Sequence, residues 1–96
     1  MRSIAELQSE IAAWADEVHP NRTLLGILSK LFGECSELLS SETEDSALEV
    51  ADCAILILDY AHRAGIDLEV AIIEKMAINR GRTWRIAPTG AMQHVS

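Results

Sequence analysis

Aromatic side chains are scarce: Trp14, Phe32, Tyr60 and Trp84 are the only four among 96 residues. Proline and glycine are sparse too, at two and five. A β-sandwich draws on aromatic strands and on frequent turn residues, so this poverty argues against one. Basic residues number eight against fifteen acidic ones, giving a formal charge of −7. No Lys/Arg stripe offsets that balance, which disfavours nucleic acid as a partner. An acidic protein that binds polyphosphates needs metal cations between the two. Two cysteines, Cys35 and Cys53, make no disulfide framework. With no secretory pattern at the start of the chain, they point to a reduced cytoplasmic setting, a host cytoplasm if the source is viral. The longest apolar run, Cys53 to Leu58, is far too short to span a bilayer, so no membrane partner is expected.

What the chain does have is helical punctuation. Ser3 and Glu6 are spaced as a capping box, and Ile4, Leu7, Ile11 and Trp14 share one face of the helix that follows. Pro20 ends that helix. Thr23 caps a second helix through about Leu39. Ser46 or Asp45 opens a third that runs to Ala64, where Gly65 supplies the left-handed stop. Asp67 caps a fourth through about Asn79, with Val70, Ile73, Ala77 and Ile78 available for packing. Short connections between four helices predict an all-α fold, an antiparallel four-helix bundle. A domain this small and apolar buries only part of its surface alone, so oligomerisation is expected to complete it. The helical domain is set at 1–85, and 86–96, which lacks periodicity, is set as a loose tail.

The third helix carries acids where it should not. Apolar residues cover most of its directions, which marks a buried rod. Yet Glu49 and Asp52, three apart, are surface neighbours, and Asp59 lies two turns further on. Buried unpaired carboxylates cost several kcal/mol each, about that after relaxation, and adjacent ones repel. The seam must therefore face solvent, basic partners or metal. The second helix repeats the pattern with Glu34 and Glu37. Helices joined by a short loop are antiparallel neighbours, so the two acidic pairs can face each other. Four converging carboxylates suit hard divalent cations such as Mg²⁺ or Mn²⁺. Cys35 and Cys53 each follow one of these acids directly and point about 100° away from it. They read as small buried hydrophobes rather than ligands, soft sulfur being a poor match for Mg²⁺.

The stretch GECSEL…LEVAD, at Gly33–Leu38 and Leu48–Asp52, resembles the metal motif of the MazG-like all-α nucleoside triphosphate pyrophosphatases. HPNRTLLGILSKLFGECSEL looks like the lead-in to their metal helix. LDYAHRAGIDLEVAIIEKMAINRGRTW looks like their closing K-x-x-x-N-x-x-R segment. The chain is especially similar to the small phage-type dATP/dGTP pyrophosphohydrolase branch, through its LD-x-x-x-R-x-G stretch and R-x-W end. The likeness runs from about Trp14 to Trp84. One departure is Gly33, where many members carry a second Glu.

The resemblance implies metal-dependent cleavage of a (deoxy)nucleoside triphosphate, purine dNTPs such as dGTP or dATP foremost, to the monophosphate and pyrophosphate. Glu34, Glu37, Glu49 and Asp52 would hold two or three Mg²⁺ ions, with Mn²⁺ able to substitute. Glu37 and Glu49 are the candidate catalytic residues, with Glu37 the first choice as acceptor of the water's proton. Lys75 and Arg82 suit the departing phosphates, and Asn79, one turn beyond Lys75, suits a phosphate or sugar oxygen. Trp14 offers a face for a base, or else a place in the core or a subunit interface. Asp59 would orient Lys75, bind an outer ion, or serve as a structural ion-pair partner. The enzyme would work as a homodimer or homotetramer. The competing expectation is a non-catalytic helical interaction module that keeps the family fold, for which Gly33 is the only positive hint.

Overall fold

The computed structural model describes residues 2–40 and 46–96. Four helices follow in order: α1 (Ile4–Val18), α2 (Leu24–Ser40), α3 (Ser46–Arg63) and α4 (Leu68–Arg80). Local chemistry sets their ends. Ser3 and Glu6 form the reciprocal capping box, and Asp67 accepts from the Val70 N–H. Thr23 Oγ1 accepts from the Gly26 N–H at the start of α2. Gly65 adopts φ 73° just past α3, a conformation that favours glycine. The candidate cap Asp45 lies outside the described residues.

α3 is the central rod, packed against both α1 and α2. Arg22, before α2, meets Asp59 late in α3, while Cys35 late in α2 meets Cys53 earlier in α3. α2 and α3 therefore run antiparallel. Buried Gln8 of α1 clamps the turn after α3, donating to the Ile66 carbonyl at 2.7 Å and accepting from the Leu68 N–H at 3.4 Å. The buried apolar set is small-sided: Ala12, Ala15, Ile27, Cys53, Ala61 and Ala87. Among the described residues no large side chain is fully buried. α4 touches α1 and α3 and has no buried residue, so Val70, Ile73, Ala77 and Ile78, available for packing, are left exposed by the chain itself.

The sequence reading of residues 86–96 as a loose tail needs correction. β1 (Trp84–Ile86) pairs antiparallel with β2 (Met92–His94), in the register Trp84 with His94 and Ile86 with Met92. The turn is closed by the Ala87 N–H on the Ala91 carbonyl at 2.7 Å, with Gly90 at φ 88°. Trp84 Nε1 donates to the Asn79 carbonyl at 2.8 Å, and the Trp84 ring meets His94 edge-on. Strands of three exposed residues show no alternation. The signal was the Pro-Thr-Gly turn instead.

Candidate active site

The antiparallel register of α2 and α3 puts their acidic turns side by side. Lys30 shows the consequence. Its Nζ lies 3.0 Å from Glu34 Oε1, one helical turn on. Its ammonium is held above the ordinary lysine range, first by that bond and then by the charges of Glu34, Glu37 and Asp52. Three of the four expected acids, drawn from two helices, thus act on one cation. The Cys53 thiol is pushed up by burial first, then by Cys35 and by the charges of Glu34 and Asp52. Glu34 and Asp52 accordingly border the same α2–α3 contact. Glu49 sits half-buried in the first turn of α3.

These are hard oxygen donors, and Glu34 already pairs with the Lys30 ammonium. That chemistry fits divalent metal ions. No three of the acids already form a metal cage among the described residues. Gly33 is open: a Cβ there would meet nothing within 4 Å.

Beside the acids lies a cavity of about 570 Å³, lined by Trp14, Val18, Arg22, Ile27, Lys30 and Asp59 among others. Its size suits a nucleoside-sized ligand. Lys30 both lines it and pairs with Glu34, so the cavity opens towards the acidic turns. Trp14 is 58% exposed, a ring at the cavity wall rather than a core residue.

Asp59 has a different task from orienting Lys75 or binding an ion. Its two oxygens accept from Arg22 Nε and Nη2, both at 2.7 Å, and the pair is buried. The ion-pair alternative is the one the fold adopts. Arg22 Nη1 also donates to Asp16 at 2.8 Å and to the His19 carbonyl at 3.2 Å. The Arg22 guanidinium holds the Asp16 carboxyl below its usual value. Arg22 itself is pushed far up, first by its bond to Asp59. One arginine thus fixes the α1–α2 turn to α3 and builds the cavity floor.

Lys75, Asn79 and Arg82 stand elsewhere. α4 does not approach α2 among the described residues, so one chain does not bring these three onto Glu34 and Glu37. Asn79 and Arg82 line a second cavity, about 350 Å³, with Met76, Arg80, Trp84 and Met92. Among the described residues the Asn79 Oδ1 is buried without a hydrogen-bond partner. Sequence reasoning missed Arg22 and Lys30. Lys30 was signalled by its i,i+4 spacing to Glu34, whereas nothing local marks Arg22 as buried. Cys53 is buried as expected, but Cys35 is exposed, because its side of α2 faces outward at the edge of the contact.

Known proteins share this fold. A family model described as dATP/dGTP pyrophosphohydrolase matches residues 7–96, hairpin included. A dATP/dGTP diphosphohydrolase of cyanophage S-2L is 47% identical over 93 residues, covering 97% of this chain and 89% of that protein. A dATP/dGTP diphosphohydrolase of Salmonella phage PMBT28 is 44% identical over 93 residues, but the chain spans only 32% of its length. The solved structure of the cyanophage S-2L MazG-like pyrophosphohydrolase, bound to dGDP and three catalytic Mn²⁺ ions per active site, superposes with a TM-score of 0.90 over the whole of both chains. With a family model spanning nearly the entire sequence and an all-α fold to match, the chain belongs to the MazG-like dATP/dGTP pyrophosphohydrolases.

Proposed function

We infer that this chain carries out its family's reaction, the metal-dependent cleavage of purine deoxynucleoside triphosphates, dGTP or dATP, to the monophosphate and pyrophosphate. The observation that carries the reading is Lys30. It lines the nucleoside-sized cavity and pairs with Glu34 at 3.0 Å, so a nucleoside in the cavity leads its phosphates to the acids. Glu34, Glu37, Glu49 and Asp52 hold two or three divalent cations, Mg²⁺ in the cell with Mn²⁺ as substitute. When bound, such ions neutralise triphosphate charge and make water nucleophilic near neutral pH.

The chain's own residues do the rest. A carboxylate oxygen of Glu37 or Glu49 accepts the proton of the attacking water. Trp14 stacks on the base at the cavity wall, and the Arg22–Asp59 pair keeps that wall rigid. Lys75, Asn79 and Arg82 supply cationic and amide contacts for the phosphates. A second copy of the chain covers the exposed apolar residues of α2 and α4, giving a homodimer or homotetramer. That second copy is the route by which α4 residues reach an acidic cleft they do not meet within their own chain.

The test is product analysis. Each common NTP and dNTP is incubated with the protein and Mg²⁺ or Mn²⁺, with Glu49→Ala as control. Monophosphate and pyrophosphate from dGTP or dATP, absent with the variant, are expected. Turnover equal in the variant, or release of inorganic phosphate instead of pyrophosphate, refutes the reading.

A further inference from the structure

Two thiols outside the proposed chemistry lie together where α2 meets α3, one exposed and one buried. Cys35 Sγ and Cys53 Sγ are 3.8 Å apart, and both cysteines are free. Each directly follows a candidate metal ligand, Glu34 and Asp52. We propose that Cys35 and Cys53 are a modification site, at which a low-mass disulfide oxidises them to a reversible intrachain disulfide that staples the two acid-bearing helices together.

The geometry divides the labour between the two sulfurs. Cys35 is exposed and meets the reagent, while Cys53 is buried and shielded from it. Cys35 Sγ attacks one sulfur of the small disulfide R–S–S–R, forming a mixed disulfide and releasing one R–S⁻, which takes up the Cys35 proton. Cys53 Sγ then attacks Cys35 Sγ, forming the protein disulfide and releasing the second R–S⁻ with the Cys53 proton. The protein loses two hydrogens and the reagent is reduced to two thiols. A disulfide bond is about 2.05 Å long, so the sulfurs close by less than about 2 Å, a displacement within reach of side-chain rotation. The bond also closes a loop through the α2–α3 connection, which restricts the unfolded chain and favours the folded one.

The staple has a consequence for the acids, which rests on the metal-site reading above. Ions shared by carboxylates of α2 and α3 set the spacing of the two helices, and a bond between residues 35 and 53 sets that same spacing independently.

The test uses the full chain and oxidised glutathione, read by intact mass, thiol titration and a non-reducing gel. Expected are two thiols lost per chain, a mass lower by two hydrogen atoms, no covalent dimer, a higher Tm, and full reversal by dithiothreitol. Cys53→Ser should stop at a glutathione adduct on Cys35, and Cys35→Ser should leave Cys53 unreacted. A wild-type chain that stops at the adduct, forms covalent dimers, or keeps both thiols overturns the proposal. The Tm gain on adding Mn²⁺ should be smaller in the oxidised chain than in the reduced one, and equal gains overturn the link to the acids. A reduced chain with no Mn²⁺ gain refutes the metal reading instead, while the mass and thiol results still decide the disulfide.

Discussion

Removing Asp59 should cost the protein much of its stability, and the reason lies in what it leaves behind. The side chains of Arg22 and Asp59 are 9% and 6% exposed, and two bonds of 2.7 Å join them. Asp59→Ala strands a guanidinium that cannot shed its proton. Breaking a buried pair from one side typically costs about 3–5 kcal/mol. Arg22 keeps its bonds to Asp16 and the His19 carbonyl, which places the loss near the lower figure. A loss of about 3 kcal/mol is a large share of a total of roughly 5–15 kcal/mol, and it corresponds to a fall in Tm of roughly 12–24 °C. The double variant Arg22→Met with Asp59→Leu should recover most of this. A buried ion pair and an apolar pair of similar volume are close to equal in stability, and Asp16, 61% exposed, returns to water. The assay is urea unfolding followed by circular dichroism, with chelator present and at one protein concentration, because self-association would otherwise enter the result. A single variant that loses under about 1 kcal/mol, or a double variant as unstable as the single, would refute the argument that desolvated charge sets the cost.

Adding Mn²⁺ at a hundred times its dissociation constant should stabilise the reduced wild-type chain by about 2.7 kcal/mol, and Asp52→Asn should shrink the gain; a melting curve unmoved by metal refutes the site. Gly33→Ala should stabilise by about 0.5–1 kcal/mol in urea unfolding, because the position is helical and exposed with open space for a Cβ. Turnover should be unchanged, and a loss of stability would show that Gly33 is needed for its backbone.

The helix ends were legible because their causes are local. Ser3 with Glu6, Pro20, Thr23, Gly65 and Asp67 each act within a few residues of where they stand, and each is where the fold uses it. The pairing of α2 with α3 was legible at one remove, since a short connection makes neighbouring helices antiparallel. The Arg22–Asp59 pair was not, because 37 residues separate partners that have no shared motif. Asp59 showed that it needed a cation, but the sequence offered eight candidates and the spacing favoured none. The hairpin escaped for the opposite reason: three-residue strands are too short for a period, and only the turn carried information.

α4 marks where reading one chain stops. Its sequence has apolar residues enough for a packing face, yet Val70, Ile73 and Ile78 remain about half exposed or more, at 48%, 65% and 51%. A helix of 13 residues is marginal in water by itself, and its stability must come from packing. Within the chain it is held at its ends: Gln8 clamps the turn before it, Asp67 caps it, and Trp84 binds the Asn79 carbonyl at its far end. End anchors fix direction, and the contacts with α1 and α3 leave most of the apolar face exposed. Lys75, Asn79 and Arg82 belong to this helix and to the turn that follows it. Any cover that stabilises α4 therefore also decides where those three side chains point. The second copy proposed above would meet both demands at once, and on that reading folding, assembly and completion of the proposed phosphate-binding set are a single event.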